Sequence, residues 1–394
     1  MQQSNQRDFC VTKHMKNILL IEPNYPTKVL PFGLQKIATY LLNKGHSVKY
    51  RKGCPTPSGF FGEVPDEIYI TSLFTYFGKE VIKTINVSKR LFPKAKIHVG
   101  GIFASLMPEY IKKKTGISPH IGLLKKVDNC IPNFDLFPET EKITVFTSRG
   151  CFRKCKFCAV KSLEPNFFVV DNWKKQITNS CKNKERLIIV QDNNFTASPW
   201  SHQKDAVDFF VKNNLTVDFQ QGLDCRLFKE KHVKLYSKLN IPVIRFAFDN
   251  IETEDGYIQE AIKLTKKYMP KTEIRSFVLY NFKDKPEDMW YRFGELNKLG
   301  TKAYPMKYAD ISVENIENLK RTFVGEHWNE KFLKNLLNFL IKKSRGSMVI
   351  YYSYESFKKH FGKSAKEFVN IIKNYNTIET KRENKKREMG GFDL

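Results

Sequence analysis

Short apolar runs alternate with stretches of helical periodicity along most of this 394-residue chain, and this alternation narrows the fold more than any other feature. An apolar run of about four to eight residues between turn signals reads as a buried strand. Where helical stretches separate such strands, the strands lie parallel, because each helix returns the chain to the same edge of the sheet. Residues 17–21, 47–50, 67–72 and 96–100 are the first strands of this kind. Residues 34–43 and 79–91 are the helices between them; Leu34, Ile37, Ala38, Leu41 and Leu42 line one side of the first, which Gly45 stops. The expectation is an α/β, doubly wound, Rossmann-like domain over 16–111, behind a polar leader at 1–15. Residues 112–140, with Pro119, Pro132 and Pro138, read as an irregular linker.

Six more strands follow, at 143–147, 187–191, 216–220, 243–248, 274–280 and 302–306. Helical stretches at 203–213, 230–239, 260–268 and 287–299 lie among them. This succession matches a partial (β/α)6 barrel of the TIM type over 141–310, whose working residues belong at the C-terminal ends of strands. Residues 326–343 and 354–375 read as helices, with Leu333, Leu336, Leu337 and Leu340 as an apolar stripe, and 347–352 as a strand or helix junction. The plain expectation for 311–380 is a helical cap on the barrel mouth, and for 381–394 a solvated, charged tail.

The first barrel strand runs into Arg149-Gly150-Cys151-Phe152-Arg153-Lys154-Cys155-Lys156-Phe157-Cys158. Three cysteines in a C-x3-C-x2-C pattern can ligate three irons of a [4Fe-4S] cubane and leave the fourth open to an exogenous ligand. Arg149, Arg153, Lys154 and Lys156 crowd the loop, and their charge would favour thiolates; Phe157 would shield the cluster. The alternatives are unligated thiols or zinc. Structural zinc usually takes four ligands in two pairs, yet no second C-x2-C occurs, and His120 and His202 are not at finger spacing. The other cysteines, Cys10, Cys54, Cys130, Cys181 and Cys225, are scattered and outline no disulfide framework.

The cysteine spacing, with an aromatic residue before the last Cys, resembles the radical S-adenosylmethionine (SAM) superfamily. The resemblance implies that Cys151, Cys155 and Cys158 ligate the cluster and that SAM chelates the open iron. It implies reductive cleavage of SAM to a 5′-deoxyadenosyl radical, fed by an electron donor such as a flavodoxin or ferredoxin. Phe157 would pack near the adenine. By the same analogy Asp192 is the candidate for the SAM amino group, Gln221, Asp224 and Asp249 for the ribose, and Arg226 or Arg245 for the carboxylate; helix caps and barrel-core ion pairs are the competing roles for the acids. Residues 17–48 and 68–108 resemble the cobalamin-binding-like domain that precedes many radical SAM barrels, through Pro31-Phe32-Gly33-Leu34, Leu41 with Gly45-His46, and Gly100-Gly101 with Pro108. The cobalt-ligating Asp-x-His-x-x-Gly motif is absent, so cobalamin stays open as a cofactor, and His46 and His98 read as satisfied domain histidines.

The net charge of +26 suits an anionic partner such as nucleic acid, although lysine is spread along the whole chain as a biased genome composition would spread it. No run reaches the ~18–20 apolar residues of a membrane span, and the N-terminus lacks the apolar stretch of a signal peptide; a cytoplasmic protein is expected. Three functions compete: a radical SAM enzyme acting on RNA, protein or a small molecule; a nucleic-acid-binding or redox-sensing iron–sulfur protein; and a silent barrel that keeps its cluster. A methylthiotransferase is disfavoured because there is no second cysteine triad, and a methyl-carrying role for Cys225 is a minor alternative.

Overall fold

The computed structural model of the protein describes residues 14–26, 30–56, 64–138, 140–180, 187–310 and 322–375. Most of the expected leader, with Cys10, lies outside the described residues, as do Cys181 and the charged tail. The chain divides into two compact units, 1–139 and 140–394.

The first unit is built on a parallel sheet of β1 (Asn17–Glu22), β2 (Ser47–Lys52), β3 (Glu67–Ser72) and β4 (Lys96–Gly101), in the order β2-β1-β3-β4. The chain winds one way from β1 to β2 and the other way from β3 to β4. Right-handed crossovers therefore place helices on both faces, and the order reverses between β1 and β3. β1 answers this with a continuous apolar run: Ile18 through Glu22 are all buried. Ile18 and Leu20 pack with Leu34, Ala38 and Leu41 of the helix Phe32–Leu42, and alternation sends Leu19 and Ile21 to the opposite face. His98 Nε2 donates to the Glu67 carboxylate at 3.0 Å and stacks on Tyr69, and His46 Nδ1 accepts from the Lys16 N–H at 3.4 Å, so both are satisfied domain histidines.

The expected linker is instead part of this unit. The helix Pro108–Thr115 runs into it, and Lys125–Asp128 forms a further helical turn. Phe137 joins the β1 core, Asn133 N–H donates to the Gln35 carbonyl at 3.1 Å, and Thr39 Oγ1 donates to the Ile131 carbonyl at 2.5 Å. Its prolines interrupt helix without preventing packing.

In the second unit β5 (Lys142–Val145), β8 (Leu187–Val190) and β9 (Thr216–Phe219) form one parallel set; β10 (Val243–Ala247), β11 (Glu273–Tyr280) and β12 (Lys302–Lys307) form another. The short strands β6 (Ser148–Arg149) and β7 (Phe168–Val169) pair separately. Bridges from Thr216 to Asn240 and from Leu223 to Phe246 join the sets into the six-stranded order β5-β8-β9-β10-β11-β12, a partial barrel. From β9 to β11 burial alternates strictly. The buried side meets the outer helices and their leading loops: Phe219 stacks on Tyr236 of the helix Glu230–Tyr236, and Phe246 meets Phe228 edge-on. The other side faces the concave interior.

The C-terminal region is helical, as expected. Glu330–Lys343, Tyr354–Phe361 and Ala365–Lys373 bundle with the outer helix Pro286–Lys298, where Phe361 meets Phe293 and Phe339 edge-on and Asn335 donates to the Ile372 carbonyl at 2.9 Å. The expected single helix over 354–375 breaks at Gly362, whose φ is +90° and where a Cβ would come within 2.9 Å of Phe368 N. Ser364 then caps the next helix by accepting from the Glu367 N–H at 3.2 Å. In 347–352, Ile350 alone bridges β12, antiparallel at Ala303.

Candidate functional site

The cysteine loop leaves and returns as a hairpin, because Ser148 pairs with Val169 and Arg149 with Phe168. Gly150 closes its base. Its φ is +76°, and a Cβ there would stand 2.1 Å from the Asn166 carbonyl oxygen, so no other residue fits. Glu164, which the sequence did not single out, ties the base together. Its Oε1 accepts from Arg149 at 2.6 Å, and its Oε2 accepts from Gly150 N–H at 3.1 Å and Asn193 Nδ2 at 2.8 Å.

Within the loop Cys158 N–H donates to the Cys155 carbonyl at 3.1 Å. Cys151 Sγ accepts from the Arg153 N–H at 3.4 Å and from Asn194 Nδ2 at 3.7 Å. All three thiols are free and partly covered. Among the described residues no three His, Cys, Asp or Glu side chains converge as ligands of a single ion would; a cubane spreads its thiolates over several irons. The expected thiolate-favouring charge is offset by the fold. Arg149 is held by Glu164 and lies over Phe146, Arg153 pairs with Asp224, and Lys154 and Lys156 are exposed. Burial pushes the Cys155 thiol up despite the pull of Arg226 and Arg153, and burial raises Cys158 as well. Metal would have to displace those protons.

Asp192 is not placed as expected. Its side chain is buried behind the loop, where Thr147 N–H and Oγ1–H each donate to it at 2.6 Å and Ser148 Oγ–H at 2.7 Å. Thr147 Oγ1 also lies 2.9 Å from His202 Nε2. Burial raises the Asp192 pKa to about 6 in spite of these donors. The carboxylate braces the end of β5, with three donors on its two oxygens.

Asp224 is instead the hub of the rim. It accepts from Arg153 Nε, from Arg226 Nε at 2.7 Å and from Asn194 Nδ2 at 3.2 Å. Burial works to raise its pKa, but hydrogen bonds from Arg226 and Arg153 win and hold the carboxyl below its ordinary value. The ion pair that competed with a ribose role is therefore the one observed. Arg226 also reaches Glu254 at 3.5 Å, and Glu254 Oε2 accepts the N–H groups of Asp249 at 2.5 Å and Asn250 at 3.0 Å. Asp249 accepts from Leu279 N–H at 3.0 Å and is not a helix cap; Asn250 takes that role, accepting from Glu252 N–H at 2.7 Å. Burial, with Glu254 repelling it, raises the Asp249 pKa. Arg226 and Glu254 act on Cys155, and Asp249 on Cys158, and the Arg153–Asp224 ion pair ties the loop to the residues after β9. From outside, fully buried Arg292 donates to the carbonyls of Phe248, Asp249 and Leu279 at 3.1, 2.9 and 2.7 Å, and to Asp284 at 2.6 Å.

Other expected site residues separate. Gln221 is exposed and donates to Gln191 Oε1 at 2.5 Å. Phe157 lies edge-on to Phe282, with centroids 5.8 Å apart, and Phe282 lies edge-on to Tyr308 at 4.7 Å, forming an apolar wall beside the last thiol. Arg245 lies lower on the concave face, paired with Asp218, away from the thiols. Cys225 is buried, with its thiol 3.8 Å from the Ala247 carbonyl and its pKa pushed up to about 12 by burial; such a thiol is a poor nucleophile. Glu164, Asn194, Glu254 and Arg292 carry no motif signal of their own.

Among solved structures, the chain is similar to the radical S-adenosylmethionine methyltransferase TsrM from Kitasatospora setae with cobalamin and [4Fe-4S] cluster bound, at a TM-score of 0.59 and 14% identity over 76% of this chain and 78% of that one. SuiB from Streptococcus suis, bound to precursor peptide SuiA, aligns at a TM-score of 0.38 and 14% identity over 62% and 51% of the two chains, too low to weigh. No family model and no curated protein matches the sequence. The likeness to TsrM is one of fold. No described helix is long and apolar enough to cross a membrane.

Proposed function

We propose that the chain is a radical SAM enzyme that modifies a substrate inside the partial barrel. The observation that carries this reading is the placement of the three thiols. They sit on a Gly-pinned loop directly after the first barrel strand, above a rim that gathers Asp224, Arg226, Asp249 and Glu254. The donor set fits a cubane: Cys151, Cys155 and Cys158 would hold three irons, and the remaining described cysteines, Cys54, Cys130 and Cys225, lie elsewhere in the chain. With SAM, such a cluster supplies one-electron chemistry at carbon.

The chain's own residues do the rest. Gly150 and Glu164 fix the loop, and Asn194 donates to the Cys151 sulfur. Asn194 Oδ1 is buried without a hydrogen-bond partner among the described residues. That orphaned acceptor suits the SAM amino group in place of Asp192. Arg226 suits the carboxylate, Asp249 the ribose, and the Phe157–Phe282 wall the adenine.

The first unit offers a second cofactor a seat at its switch point, where α/β sheets bind ligands. Phe74 and Tyr76 stack at 4.9 Å beyond β3, Tyr25 and Phe77 at 5.4 Å, and Phe74 is 38% exposed. TsrM was solved with cobalamin; here cobalamin would bind without the missing His motif. Uptake of hydroxocobalamin that Phe74→Ala abolishes would support this, and absence of uptake would leave the unit structural.

The test of the main reading is anaerobic reconstitution, then incubation with dithionite and SAM. The expected products are 5′-deoxyadenosine or S-adenosylhomocysteine. A cluster that forms without either product favours an iron–sulfur protein lacking SAM turnover.

A further inference from the structure

Below the rim, three cations stand in one row across the concave face. Alternation along β10 and β11 turns Arg245 and Arg275 away from the outer helices. The strand register sets Arg245 beside Arg275, and Arg275 beside Lys302. Like charges side by side on one face of a sheet repel. Two carboxylates answer them: Asp218 pairs with Arg245, and Glu273 bridges Arg275 and Lys302, the latter at 2.5 Å. The Arg275 guanidinium lies 5.6 Å from the centre of the Tyr304 ring. The row keeps a net positive charge and stays partly open, with Arg245 13% and Lys302 33% exposed.

Stability alone does not call for this row. Closed barrel interiors are filled mainly by branched apolar side chains, and replacing buried ion pairs with apolar residues is often neutral or stabilising. The position is informative as well. Arg245 precedes the rim residue Asp249 by four positions, roughly 13 Å at ~3.3 Å per strand residue. A small molecule with its charged end on the row would reach the rim with its other end.

We propose that Arg245, Arg275 and Lys302 bind the anionic end of the substrate, a carboxylate or a phosphate. Planar guanidinium donors suit an oxyanion's paired oxygens, and the Glu273 and Tyr304 contacts hold Arg275 in place for it. The role of this anion as substrate rests on the radical SAM reading; the anion site itself does not.

Inorganic phosphate and glutarate, titrated separately into the reconstituted protein at constant ionic strength, test the site. The expected result is saturable one-to-one binding of at least one of them, with a matching rise in melting temperature. Arg275→Gln and Lys302→Gln should each weaken binding about tenfold, the loss of one charge-assisted contact. Neither should lower the melting temperature measured without the anion by more than about 4 °C, since both ion pairs are partly exposed. Phosphate binding alone identifies a phosphorylated substrate, and glutarate binding alone a carboxylate. The proposal is overturned if neither anion binds stoichiometrically, or if the double variant binds as the parent does. Cluster EPR recorded with SAM on the same samples separates the two claims. Anion binding without a SAM response removes the radical SAM reading and leaves the site standing; a SAM response without anion binding removes the site alone.

Discussion

The central strand of the first unit and the middle strands of the second lie in parallel sheets, yet they are dressed differently. β1 is apolar on both faces because the winding of its sheet puts helices on both. β10 and β11 alternate, burying Ile244, Phe246, Ile274 and Val278 while turning Arg245 and Arg275 to the other side. The difference teaches that the second sheet is covered from one side by its own helices and carries Arg245 and Arg275 on the other. A chain with only structural duties would have filled that face with branched apolar side chains, as closed barrels do.

The comparison breaks most readily where the open sheet is held from outside. Arg292→Met should cost about 3–5 kcal/mol, because it strands the partly buried Asp284 and frees three strand-end carbonyls; urea unfolding measures it, and a cost near zero would mean the rim does not depend on this clamp. On the closed sheet, Leu20→Ala should cost about 2–5 kcal/mol through the cavity it opens. On the open face, Arg275→Gln should cost less than ~1 kcal/mol, since its ion pair is partly exposed. Equal losses for these two would show that both sheets are closed cores.

A smaller effect concerns the brace under the loop. The Asp192 pKa is raised from 3.8 to about 6, so the folded state takes up its proton before the unfolded state does. Its contribution to stability is full below the unfolded value and is lost as pH rises toward about 6. Asp192→Asn should remove that part of the pH dependence, a slope of at most ~1.4 kcal/mol per pH unit, visible as a difference between parent and variant melting curves. The smallest expected effect is on the cluster. Asn194→Leu removes one N–H donor from the Cys151 sulfur, which should lower the midpoint potential in an EPR-monitored titration while leaving iron content unchanged.

The repeat of strands and helices was legible because each strand carries its own apolar run and each helix its own stripe. The cysteine triad was legible because its ligands are close in sequence. Glu164, Asn194, Glu254 and Arg292 were not: Asn194 and Arg292 act on residues that only the folded partial barrel brings near, and Glu164 and Glu254 on loop N–H groups that no motif marks; Arg292 reads simply as a cation in an amphipathic helix until its carbonyl partners converge. The bracing contacts of Asp192 were not legible for the related reason that a strand-end acid can face the mouth or the loop behind it, and periodicity does not say which. The break at Gly362 did carry a local signal, Gly followed by Ser364 three residues before Glu367, the pattern of a new helix start. Helical spacing on either side of it had masked that signal.

The central claim is that the thiol loop keeps one iron for SAM. The most direct measurement is the EPR spectrum of the reconstituted, dithionite-reduced protein before and after SAM is added. The account predicts a reduced-cluster signal that changes with saturable dependence on SAM and is lost when Cys151, Cys155 and Cys158 are all replaced by Ala. A reduced cluster whose spectrum stays the same at high SAM, or one that persists in the triple variant, would contradict it.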